Sequence, residues 1–153
     1  MKNKEERSKW LERIIRYGPL VFWAGVILYF SSTSVGSSTV TSRFIRPLLE
    51  FLFPSASSET IAIYHGYVRK AGHFTGYAIL GFFALRAFLS GVFARWKSVA
   101  IALVVCLAVA VTDEFIQSFS PERTGSLYDV ALDMFGATFS VVIALRWLGR
   151  GQD

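Results

Sequence analysis

Four mostly apolar stretches alternate with polar segments along the chain, at 17–32, 71–93, 99–119 and 127–148. Each approaches the roughly 20 residues that a helix needs to cross the hydrocarbon layer of a bilayer, so each predicts a transmembrane helix. The first is the shortest and follows a basic stretch, as a signal peptide would, and the small residues SSTSVGSS after it are compatible with cleavage. Trp23 and Tyr29, and the lack of a soluble domain behind them, favour an uncleaved anchor. Between the first and second stretches, Phe44, Ile45, Leu48, Leu49, Leu52 and Phe53 recur at helical spacing, with Arg43, Arg46 and Glu50 among them. This pattern predicts an amphipathic helix over about 40–53, lying on the outer membrane surface and broken by Pro54, with Pro47 inside it or at its first turn. The next segment, ETIAIYHGYVRK, reads as a partly helical approach to the membrane. The expected fold is therefore all-α: one polytopic domain over 1–153, a bundle of about four transmembrane helices with a short interfacial helix between the first and second.

Composition narrows this further. With 53% hydrophobic and 16% aromatic residues in 153 positions, the chain is too apolar for an ordinary soluble fold. The net charge of +5 is a signal of topology. Lys2, Lys4, Arg7, Lys9, Arg13 and Arg16 precede the first span, Arg95 and Lys97 precede the third, and Arg146 and Arg150 close the fourth, which puts both termini in the cytoplasm. The last turn carries only Arg123 and is assigned outside. Arg43, Arg46, Arg69 and Lys70 make the first outer loop a partial exception. No nucleic-acid partner is expected. Cys106, alone in IALVVCLAVAV, excludes an internal disulfide and a cysteine zinc site and reads as a small hydrophobe. There is no nucleotide motif or phosphate-binding glycine loop. Ser31 and Ser32 have no base beside them in the sequence and are expected to bond helix-end carbonyls.

The polar residues inside the spans carry the candidate chemistry. Lys70, His73 and Tyr77 share a face of the second span; Asp113, Glu114 and Gln117 occupy one arc of the third; Asp129, Asp133, Gly136 and Ser140 form a line on the fourth. All three faces lie at the same end of the bundle, with Asp113, Glu114 and Asp133 on the order of 10 Å inside it. A carboxylate facing lipid at such depth costs about 2.5–3.5 kcal/mol. The cluster must therefore face a shared interior, made tolerable by protonation, by pairing with Arg69, Lys70, His73 or Arg123, or by a bound cation. A hydrogen-bonded clamp between helices and a binding or catalytic pocket both remain open. The binding candidates are Lys70, His73, Asp113, Glu114, Gln117, Arg123, Asp129 and Asp133; His73, Glu114 and Asp133 are the candidates for moving a proton. His73 lacks a His or Cys partner at ligand spacing, so it is read as a hydrogen-bonding or proton-handling group in preference to a metal ligand, and no cofactor or metal centre is expected. A hard divalent ion on Asp113, Glu114, Asp129 or Asp133 is the lesser alternative. His65 is assigned to a loop, Gly72 and Gly76 to close helix packing, and Arg86 to snorkelling toward the inner surface.

KxxH and Tyr77 at the start of one span, followed by DEFIQSFSPERTGSLYDVALDMFGA through a turn into the next, resemble the VanZ-like family of bacterial membrane proteins, named for an accessory protein of teicoplanin resistance. Lys70, His73, Glu114, Gln117, Arg123, Asp129 and Asp133 match the family's polar pattern; Asp113, Tyr77 and Gly136 match it more loosely. Relatives often carry asparagine followed by glycine where this chain has Asp133 and Met134, so the local charge here differs. The resemblance implies the bacterial inner membrane, a polar cluster facing outside, a cell-envelope role and, by analogy, glycopeptide tolerance. The expected partners are membrane lipids and a cell-wall precursor or lipid headgroup bound or modified in the pocket, with a homo-oligomer left open. A non-catalytic accessory or scaffold and a small proton- or ion-coupled transporter are the competing readings.

Overall fold

The computed structural model describes residues 2–33, 38–89, 94–119 and 125–149, and all the regular structure within them is helical. Five helices follow one another: α1 (Lys2–Ser32), α2 (Ser38–Leu52), α3 (Ser58–Phe88), α4 (Arg95–Gln117) and α5 (Leu127–Gly149). Glu6–Ser32 of α1, Arg95–Gln117 and Leu127–Leu148 are long and apolar enough to cross a membrane. α3 is long enough, but His73, Thr75, Tyr77 and Arg86 interrupt its apolar run, so three helices rather than four meet the requirement by length and composition.

The location of α3 accounts for its polarity. It packs against each of the other four helices, and among the described residues the helix that α2 packs on is α3. A helix surrounded by protein needs less apolar surface than one surrounded by lipid. The packing face of α4 is a line of small residues, Ser98, Ala102, Cys106 and Ala110, all fully buried, which lets neighbouring backbones approach. Leu80, Ala84 and Leu85 of α3 and Ala137 and Val141 of α5 complete the core. Large apolar side chains such as Phe22, Val104, Phe115 and Phe139 are exposed on the outside of the bundle. This inverts a soluble surface and suits a lipid environment.

Hydrogen bonds set the helix directions. Arg16 Nε donates to the Ala87 carbonyl and Arg86 Nη1 to the Ile15 carbonyl, crossing the α1–α3 junction at one end; Trp23 Nε1 donates to the Gly76 carbonyl farther along. α1 and α3 are thus antiparallel. Arg95 Nη2 donates to the Leu145 carbonyl, tying the start of α4 to the end of α5. Arg86, expected to snorkel toward the inner surface, is exposed and donates to a backbone carbonyl of α1.

Several local expectations change. The approach segment and the second span are one continuous helix, capped by Ser57, whose Oγ accepts from the Thr60 amide. His65 belongs to this helix, not to a loop, and its Nε2 lies 3.2 Å from Thr41 Oγ1 on α2. Pro19 and Pro47 are both accommodated inside helices. Gly72 and Gly76 do not mediate close packing, since a Cβ at either would meet nothing within 4 Å. The close contacts fall at Gly81, against Ala137 and Ser140, and at Gly136, against the Phe74 backbone. Arg123 and Arg150 lie outside the described residues.

Candidate functional site

The polar residues of α3, α4 and α5 do converge, and they divide into two groups with different chemistry. Asp113 belongs to the first. It is 2% exposed, and both its carboxylate oxygens are used: Oδ2 accepts from Tyr77 Oη at 3.0 Å and Oδ1 from Gln117 Nε2 at 2.9 Å. Its backbone carbonyl accepts from Ser31 Oγ at 3.0 Å, which fastens the end of α1 to α4. Four residues on three helices thus form a satisfied network, a clamp of the kind that buried polar side chains build when every member has a partner.

The second group is His73, Glu114 and Asp133. Asp133 is 0% exposed, and neither of its carboxylate oxygens has a hydrogen-bond partner among the described residues. His73 Nδ1 stands 3.3 Å from Asp133 Oδ1, an ion-pair distance without the alignment of a hydrogen bond. Glu114 accepts from the Ser126 amide at 2.7 Å through Oε2, while its buried Oε1 has no partner among the described residues. One ligating atom from each of the three lies within 4.8 Å of the others. A satisfied clamp and a cluster with unpartnered oxygens therefore lie side by side, drawing on the consecutive residues Asp113 and Glu114 of α4.

Two cavities border this cluster at His73. One, of about 290 Å³, is walled on the α1 side by Trp23, Val26, Ile27 and Phe30 and on the other by His73, Asp113 and Gln117. The other, of about 140 Å³, is lined by Arg69, Lys70, His73, Gln117 and Asp129. His73 and Gln117 line both. Gly72 and Gly76 border the larger space, so these two glycines keep a cavity open. Lys70 is exposed at the rim, and Asp129 is half-buried at the first turn of α5.

The matching sequence-family model covers residues 17–148 and is described as VanZ/LLP1. The chain belongs to the VanZ-like family. The match includes the amphipathic segment and every element of the site. Comparison with curated proteins and with solved structures gives no match. The VanZ-like assignment agrees with three helices suited to a membrane.

Sequence reasoning missed the contribution of α1. Trp23 reads from the sequence only as a membrane residue, yet it reaches across to the Gly76 carbonyl at 2.8 Å and forms part of the cavity wall. Its position was the available signal: Trp96 and Trp147 stand near the ends of apolar stretches, where indoles favour the interface, whereas Trp23 stands inside one. Trp23→Phe is expected to lower stability by about 1 kcal/mol, the usual net value of one hydrogen bond, which thermal unfolding in detergent would register.

Proposed function

We propose that this VanZ-like protein is a multi-pass protein of the bacterial inner membrane, that α3 crosses together with α1, α4 and α5, and that α2 lies along the outer surface. Both termini are then cytoplasmic, and the polar cluster opens to the outside. The site binds the anionic headgroup of an envelope lipid or lipid-linked wall precursor. Arg69 and Lys70 supply positive charge at the rim, and the groove beside Trp23, Ile27 and Phe30 receives the hydrocarbon chain.

The junction of a basic cavity with an apolar-walled one at His73 and Gln117 carries this reading, because an amphiphile requires that succession. Binding precedes any chemistry in this account; His73 with Glu114 or Asp133 provides a proton path if a bond is altered. Glycopeptide tolerance would follow from occupancy of an envelope lipid at the outer surface.

Purified protein in nanodiscs containing phosphatidylglycerol is expected to retain that lipid over phosphatidylcholine in native mass spectrometry. Arg69→Ala combined with Lys70→Ala should reduce the preference by roughly tenfold, about the effect of 1.4 kcal/mol. An unchanged lipid preference in a normally folded double variant defeats the proposal. The scaffold reading expects the opposite ranking, with substitutions at the exposed Phe44 and Phe51 of α2 affecting glycopeptide susceptibility more than those in the pocket.

A further inference from the structure

Asp133 presents two carboxylate oxygens that are fully buried and have no hydrogen-bond partner among the described residues, and Glu114 presents one. Such atoms are costly unless something positive meets them. The described group facing them is His73, whose imidazole is itself a metal ligand, and Ser126 occupies only the far oxygen of Glu114. With metal–ligand bonds of about 2.1 Å, neighbouring ligands in a tetrahedral site stand about 3.4 Å apart. His73 Nδ1 and Asp133 Oδ1 already stand at 3.3 Å, and the three-residue set closes within 4.8 Å, which modest side-chain rotation would bring to ligand spacing.

We propose that His73, Glu114 and Asp133 form a divalent-cation site. One imidazole nitrogen with two carboxylate oxygens suits Zn²⁺ or Mn²⁺; Ca²⁺ and Mg²⁺ favour sites built from oxygen alone. Three protein ligands leave coordination positions free, as in zinc sites that act on a bound molecule. His73, 28% exposed in its side chain, lines both cavities and is the ligand through which the site borders them; Glu114 and Asp133 lie behind it in the protein interior. Asp113 takes no part, because Tyr77 and Gln117 occupy its oxygens. The neighbouring clamp instead fixes the backbone from which Glu114 projects. This inference does not rest on the lipid reading, because metal retention is measured without any lipid ligand.

Full-length protein purified in detergent, stripped with a chelator and reloaded with Zn²⁺ or Mn²⁺, is expected to retain about one equivalent per chain and to unfold at a higher temperature for it. Glu114→Gln and Asp133→Asn should each weaken retention by more than about 100-fold, beyond the usual effect of groups outside the ligand set. Phe51→Ala, on the exposed face of α2, should leave it unchanged. Pulsed electron paramagnetic resonance of the Mn²⁺-loaded wild type should detect one imidazole nitrogen, a reading that stands even if a variant fails to fold. A wild type that retains no metal, a Mn²⁺ signal without nitrogen coupling, or full retention by both carboxylate variants overturns the proposal. Retention by the Arg123→Gln variant but not by the wild type also overturns it, and would identify the guanidinium as the occupant.

Discussion

Gly136→Ala should destabilise the bundle by about 3 kcal/mol or more, toward the upper end of what overpacking a tight interior produces. A Cβ at this position would lie 3.1 Å from the Phe74 carbonyl carbon and closer still to its oxygen. These are backbone atoms, so no rotamer change relieves the clash, and α3 and α5 must separate. That separation would also loosen the packing of Phe74 between Phe135 and Phe139 and pull His73 from Asp133. Gly81→Ala should behave similarly, since its Cβ would lie 2.6 Å from the Ala137 carbonyl oxygen. Gly72→Ala should be tolerated, because open space surrounds it. Thermal unfolding in detergent, followed through tryptophan fluorescence, compares the three. Equal melting points for Gly136→Ala and Gly72→Ala would remove the case for close α3–α5 contact.

Asp113→Ala should cost on the order of 3 kcal/mol by a different route. It leaves the Tyr77 hydroxyl and the Gln117 amide buried without their acceptor, and each orphaned group carries a penalty of about 1–3 kcal/mol that need not add fully. Adding Tyr77→Phe to Asp113→Ala should therefore recover stability, since it removes one stranded donor, whereas Tyr77→Phe alone should destabilise mildly. Melting temperatures for the two single variants and the double variant form the cycle. Strict additivity would mean that Tyr77 and Asp113 do not act as a pair. Metal retention should weaken less in Asp113→Ala than in Glu114→Gln, because only Glu114 offers a free oxygen to the cluster.

Periodicity made the polar ends of α4 and α5 legible before any coordinates. Asp113, Glu114 and Gln117 lie on the arc that continues the small-residue line Ser98, Ala102, Cys106 and Ala110, and all seven are buried. Asp133 and Gly136 likewise share the inward face of α5. Spacing could not tell which carboxylate would be satisfied. That depends on Tyr77 reaching Asp113 from another helix, a long-range contact that helical spacing does not encode. The glycines misled for the same reason. Gly72 and Gly76 carry the familiar four-residue spacing, but only the location of the neighbouring helix decides whether a missing side chain permits contact or leaves a space. His65 has no polar companions at helical spacing and so reads as a loop residue, yet the N-terminal part of α3 continues as helix and packs against α2.

The central place of α3 also bears on how such a bundle could be assembled during synthesis. α1 is long and apolar enough to cross a bilayer, whereas α3, interrupted by His73, Thr75, Tyr77 and Arg86, falls short by the same measure of length and composition. Two of these, Tyr77 and His73, find their partners on α4 and α5, which leave the ribosome later. On the proposed topology, α3 would wait at the membrane surface until α4 and α5 arrive and then enter with them as a unit, so the polar site would come into being in the same step that completes insertion.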